Sequence, residues 1–438
     1  MTATMSVDSA TSAPRRRGSR PLLTGLLLAA TITGLHFLSL SFSRPIFPLL
    51  AAELGAGSAL IGLLTSLSYL LPLFIALPVG VLISRLGIRP LALAGSVCLL
   101  VGNVAYAAAG GFVPLAAARV LNGLAQVVVL VSVQAYVAEL GRGGQQDRNF
   151  ATIFFFSGLG KLAGPIAAGY LARAFGLRMA FWAAAGLAVL PLGLVLGLPG
   201  VVGRRSAGDP SPAGQSARPG GARRGGLDLG SVGRLLRLGG VRLGVGASFI
   251  MLTAQGARES FYPLFALSIG FDEVAIGVLM SVHALSSIVV QPFAGSLAAT
   301  WGRPRMLSLA MLCGFLGSMA VPLMRSFVPL AAATALAGVA LGANQPSSMA
   351  CVAEAAPKEL RGVAMALRLT GNRLALLLSP IIAGGLATVW GLPAYFYGAA
   401  GMLIGGSALM AGVARATPAR GATVGVDAPP ADTGPGGR

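Results

Sequence analysis

Long apolar runs follow one another along almost the whole chain. They occupy roughly residues 22–50, 58–84, 89–110, 112–139, 149–172 and 179–199, then 243–268, 274–299, 304–325, 327–354, 363–387 and 392–414. Each is long enough to cross a bilayer as a helix, which takes about 20 apolar residues. Strands are excluded, because a transmembrane strand is about 10 residues long and alternates in polarity. Only 10% of the 438 residues are charged and 55% are hydrophobic, too little polar surface to cover a core in water. The pattern is that of an all-α polytopic membrane protein with twelve transmembrane helices.

The runs fall into two sets that repeat. Residues 112–118 and 327–333 both read FVPLAAA, 215 positions apart. Rarer residues keep the same shift: Pro48 with Pro263, Gly62 with Gly277, Gly80 with Gly295, Gly87 with Gly302, Cys98 with Cys313, Glu139 with Glu354, and Pro165 with Pro380. Two six-helix repeats are therefore expected around a central cavity, related by an axis along the membrane normal. The organisation follows: a basic tail over 1–21, one bundle over 22–199, a linker over 200–242, a second bundle over 243–414 and a disordered tail over 415–438. The linker core, GRRSAGDPSPAGQSARPGGARRGG, is rich in Gly, Pro, Ser and Arg, as flexible connectors are. After it, Leu229, Val232, Leu235 and Leu236 recur at helical spacing beside Arg234 and Arg237, the pattern of a short helix at a membrane surface.

The net charge of +19 is spread between the runs and forms no basic domain studded with aromatics, so nucleic acid is excluded as a partner. It is a topology signal. With the N-terminus inside, 23 of the 32 Lys and Arg fall on the inner side, against Arg173, Arg178, Arg325 and Arg44, near a helix end, on the outer. Both termini are therefore expected in the cytoplasm. Arg15, Arg16, Arg17 and Arg20 precede a long run without a cleavage pattern, which reads as a tail before a signal-anchor helix. Arg used over Lys, with abundant Ala and Gly, suggests a GC-rich bacterial source and hence the bacterial cytoplasmic membrane. The three cysteines lie inside apolar runs without metal-ligand spacing and read as core residues. No metal site or cofactor is expected, and no obligate protein partner: one chain suffices for the cavity.

Several motifs carry a resemblance to the major facilitator superfamily, over nearly the whole chain. Gly80, Arg85, Gly87, Arg89 and the following Pro90 look like its loop signature after the second span, with Ser84 where the family has an acid and Ile88 where a basic residue is usual. The resemblance implies a tight cytoplasmic turn whose charges latch one bundle to the other. Arg119, Asn122 and Gly123 look like the family's Arg-containing motif of the fourth span, implicated in proton coupling. In the fifth span Gly160, Gly164, Pro165 and Gly169 look like the motif of proton-driven exporters. Small residues and a Pro let a helix approach its neighbour closely and bend.

Ionisable groups inside the membrane mark the functional reading, since an Arg at a helix centre costs roughly 2.5–3.5 kcal/mol to insert. Arg119, Lys161, Arg258, Arg368 and Arg373 lie well within spans, and Glu259 is the one acid at comparable depth. Arg44 and Glu259 are repeat mates, so they are expected to approach across the outer half of the cavity as a closing pair. Arg258 is the weaker partner, because helix neighbours point about 100° apart. Glu259 is the plausible proton carrier, with His36 and His283 as alternatives. Five deep cations against one acid bias the cavity toward anionic substrates.

The leading reading is proton-coupled efflux of a small organic molecule by alternating access. A proton symporter importing a small, anionic solute is the alternative, and a membrane sensor that retains the fold is a third. Catalysis is not indicated: neither a Walker loop nor HExxH nor GxSxG occurs.

Overall fold

A computed structural model describes residues 19–140, 144–198 and 229–416. The basic tail at Arg15–Arg17, most of the linker and the end of the chain lie outside the described residues. Six long helices build the first half: α1 (Ser19–Glu53), α2 (Ser58–Leu86), α3 (Ile88–Ala107), α4 (Phe112–Leu140), α5 (Gly144–Phe175) and α6 (Leu177–Leu196). After the short α7 (Leu229–Arg237) come α8 (Gly239–Gly256), α9 (Arg258–Ser268), α10 (Glu273–Trp301), α11 (Arg303–Ala320), α12 (Phe327–Ala355), α13 (Arg361–Trp390) and α14 (Pro393–Ala416).

The repeat governs the helix boundaries. α2 and α10 begin and end at matching positions, as do α4 and α12, all 215 residues apart. The six glycines with positive φ form three repeat pairs, Gly55 with Gly270, Gly87 with Gly302 and Gly176 with Gly391. Each sits in a tight inter-helix turn whose left-handed backbone a Cβ would strain.

Eleven helices among the described residues are long and apolar enough to cross a membrane. The twelfth, the expected span over 243–268, is instead two pieces, α8 and α9, parted at Ala257. Gly256 precedes the break and Pro263 follows it. A proline lacks the amide that would bond the carbonyl four residues back. In α9 that carbonyl belongs to Glu259; in α1 Pro48, the repeat mate of Pro263, does the same to Arg44.

Large apolar side chains such as Phe74, Val113 and Leu409 are exposed, while Ser39, Asn103, Asn122, Ser248 and Asn344 are buried. That inversion suits a bundle wetted by lipid, where helices pair through small residues and hydrogen bonds. Asn103 Nδ2 donates to Ser39 Oγ at 2.9 Å, and Ser248 Oγ to Asn372 Oδ1 at 2.5 Å. The expected amphipathic helix is α7, which buries Leu235 against Val241, Val352 and Ala364.

Between the halves, α2 lies along α13, α5 lies along α10, and α1 touches α9. These contacts gather at the end marked by Gly55 and Gly270. Gly62 packs under the Pro380 carbonyl and Gly277 under that of Pro165; Gly384 meets Ser58 and Gly169 meets Glu273. Each contact is the repeat image of another. Toward the opposite end the glycines Gly80 and Gly295 have no atom within 4 Å of where a side chain would begin.

Candidate functional site

The polar interior holds two adjoining cavities of about 630 and 220 Å³. They share four wall residues, Arg44, Leu252, Glu259 and Leu376. α1 supplies Arg44 and α9 supplies Glu259, and the two form an ion pair at 3.1 Å. This is the approach their repeat positions imply. Arg44 sits nine residues inside the end of α1 and on both cavity walls. It lies past the midpoint of α1, toward the Gly55 end, in keeping with its place near a helix end in the sequence, and still belongs to the polar interior. Glu259 spends its second oxygen on Tyr69, whose hydroxyl donates to it at 3.2 Å.

The larger cavity is lined by Lys161, Arg258 and His283 beside this pair. Lys161 Nζ stands 4.4 Å above the Phe37 ring and the Arg258 guanidinium 4.6 Å above Tyr262, favourable placements for a cation. His283 shares a hydrogen bond of 3.1 Å with Gln255. Phe154, Phe155, Met280, Ile288 and Leu341 give this cavity an apolar wall.

The smaller cavity is lined by Arg119 and Arg373, with Ser68, Tyr69, Asn122 and Gln126. Arg119 stacks 3.8 Å over Phe47 and reaches Thr65 Oγ1 at 3.5 Å. Its Nε has no hydrogen-bond partner among the described residues. Thr65 in turn bonds Ser260 at 2.6 Å, joining α2 to α9. At the repeat-related place, Tyr262 bonds Thr334 at 2.6 Å, so an arginine over a ring in one half becomes a hydroxyl pair in the other. Five cations and a single acid line the two cavities.

His36 is buried and edge-on to Phe37, and lines neither cavity. Arg368 is also set apart. Its guanidinium donates to the Gln345 carbonyl, Gln345 Oε1 and Ser348 Oγ at 3.1, 3.0 and 2.9 Å, a structural anchor between α12 and α13. Sequence reasoning missed Tyr69, Thr65 and Gln255. Thr65 and Tyr69 lie four apart on one helical face, which is the signal that was available.

The fifth-helix glycines divide their work. Gly160 and Gly164 let α5 close on α1, against the backbone of Gly34 and Leu38, whereas Pro165 and Gly169 meet α10 of the other half. Among the described residues the loop motif makes no contact between the halves of the kind the resemblance implied. Arg89 donates to the Leu196 carbonyl and Arg303 pairs with Glu354 at 2.7 Å, each within its own half. The reason is geometric, for the inter-half contacts lie at the other end, where Arg173 of α5 pairs with Asp272 before α10. Arg85 is exposed, and the Ser84 side chain lies outside the described residues.

Known proteins share this architecture. The nucleoside transporter NupG superposes with a TM-score of 0.72 at 13% identity, covering 89% of this chain and 98% of that one. The peptide transporter POT, solved in complex with sulfate, gives 0.67 at 15% identity over 90% and 94% of the two chains. At such identities the likeness concerns the fold. By sequence, the quinolone resistance protein NorA of Staphylococcus aureus is 26% identical over 156 residues, 36% of this chain and 40% of NorA. The multidrug resistance protein MdtG of Serratia proteamaculans is 30% identical over 149 residues, 33% of this chain and 36% of MdtG. The matched stretches thus span about two fifths of those relatives. The family profile reaches much further, matching residues 29–254 and 244–432. Two matched repeats, a shared polar cavity and that profile lead to one conclusion: this multi-pass membrane protein is a transporter of the Major Facilitator Superfamily.

Proposed function

We propose that the chain is a proton-coupled secondary transporter of small organic anions, working by alternating access. The observation that carries this reading is the charge of the cavity wall. Arg119, Lys161, Arg258 and Arg373 remain after Arg44 is matched with Glu259. Cations held in a low-dielectric interior favour a solute of opposite sign. A volume of about 630 Å³ suits one small organic molecule, and Glu259 is the acid on the wall that can exchange a proton. The spread of basic residues supports a reading with both termini in the cytoplasm, and on that reading the cavity opens inward while the seam at the Gly55 and Gly270 end closes the other side.

Export is the second reading. It is supported by the fifth-helix sequence Gly160–Gly169 and by the part-length likeness to two proteins named for drug resistance. Purified protein in liposomes carrying an internal pH dye separates the two. Under the anion reading, naphthalene sulfonate moves with a pH change inside, benzyltrimethylammonium does not, and Glu259→Gln abolishes the effect. A pH change driven by the cation alone supports drug export instead. No response to either ion counts against both and in favour of a non-transporting membrane protein.

A further inference from the structure

Leu235 of α7 is fully buried, and the residues packed around it come from three segments of the second half. Val241 belongs to the first turn of α8, Val352 to the last turn of α12, and Val363 and Ala364 to the first turn of α13. α12 and α13 are both long and apolar enough to span the membrane. The turn between them therefore lies at one membrane face, and α7 is packed against that face.

The same segments carry five cations: Arg234 and Arg237 on α7, Arg242 on α8, and Lys358 and Arg361 where α12 passes to α13. All five are exposed. Glu359 lies among them, and Glu354 is already held by Arg303 at 2.7 Å. Arg237, Arg242, Lys358 and Arg361 form no ion pair with the described residues. The two-fold frame does not call for these charges. Their repeat mates, 215 positions earlier, are Ser19, Leu22, Leu27, Gly143 and Gln146.

Leu236, next to the buried Leu235, is 40% exposed. Consecutive helical residues point about 100° apart, so Leu236 stands between the covered Leu235 and the exposed Arg237. A leucine and arginines side by side suit the boundary between headgroups and acyl chains, where cations meet phosphates and the apolar residue meets the chains.

We propose that α7 and the turn between α12 and α13 form a binding site for an anionic phospholipid. Arg237, Arg242, Lys358 and Arg361 hold the phosphate, and the upper part of an acyl chain lies on Leu236. A soluble anion would satisfy the cations and leave Leu236 in water. The bound lipid adds to the Leu235 contacts and fastens α7 to the second half, whatever solute the cavity carries.

Hydrogen exchange over residues 229–242 reads this site directly, because a helix of nine residues is marginal without outside support. The full-length protein is placed in phosphatidylcholine nanodiscs with and without added phosphatidylglycerol. Phosphatidylglycerol is expected to slow exchange about tenfold, as a ligand of the folded form does. Salt at about 1 M, where the screening length is about 3 Å, is expected to erase the slowing. Arg237→Gln, Arg242→Gln, Lys358→Gln and Arg361→Gln together are expected to remove it. Leu236→Ser keeps every charge and is expected to reduce it severalfold. Glycerol phosphate in plain phosphatidylcholine discs, a head without chains, is expected to leave exchange unchanged. Equal exchange of the wild type in both discs overturns the proposal, as does full slowing at high salt or in the fourfold variant. Full slowing by glycerol phosphate, or in Leu236→Ser, makes this a site for free anions and overturns the lipid. If the fourfold variant does not reconstitute, the salt and Leu236→Ser arms decide by themselves.

Discussion

Gly62 lies directly beneath the Pro380 carbonyl, so close that a methyl group on the glycine would overlap the oxygen. The repeat image of the pair, Gly277 beneath Pro165, closes the other side of the same seam. Backbone meets backbone at both, with no side chain able to yield.

Gly62→Ala is therefore expected to disfavour the closed seam by about 1–3 kcal/mol, the usual penalty of overpacking, without unfolding either half. A cysteine replacing Ser281, whose hydroxyl bonds the Leu162 carbonyl across the seam, reports this in a background lacking the native cysteines. It should be protected from an impermeant maleimide in the parent and labelled in the alanine variant. Protection in both would mean that the seam tolerates the methyl.

Arg173 and Asp272 span the same seam near its rim but are 63% and 39% exposed. Exposed pairs contribute about 0–1 kcal/mol, so Arg173→Gln should change transport less than about threefold. Asp272 also caps α10 by accepting from the Ala275 amide at 2.8 Å, which makes Asp272→Ala the more damaging change in a thermal melt.

Arg368 predicts a separation of stability from transport. Its three hydrogen bonds to Gln345 and Ser348 are lost in Arg368→Ala, at about 2–4 kcal/mol given the charged donor. The melting temperature should fall while the solute preference of the surviving protein stays unchanged. A shift in preference would place Arg368 on the substrate route.

Lys161→Ala and Arg373→Ala should each weaken anion transport about tenfold, roughly 1.4 kcal/mol, with folding intact because neither makes an ion pair in the described structure. Undiminished naphthalene sulfonate transport in both variants would remove the cation excess as the basis of solute choice.

The sequence carried more of the frame than of the site. A single shift of 215 residues was enough to pair the helices and to bring Arg44 to Glu259, because a two-fold arrangement sets equivalent positions facing each other. The break at Ala257 was not legible, since Gly256 and Pro263 are ordinary in membrane helices. The roles of Arg368 and Arg373 were not separable either. Both are lone charges in one apolar run, and what divides them is Gln345 and Ser348 on another helix. The paired glycines were visible as repeat markers, but their carbonyl partners lie more than a hundred residues away in sequence.

Pro48 and Pro263 give the ion pair a mechanical side. Each withholds the amide that would hold the helix at the residue carrying the charge, Arg44 in one half and Glu259 in the other. The charged pair and the points where the two helices lack a backbone bond therefore coincide, so a change at the pair bears directly on the segments least held by their own helix.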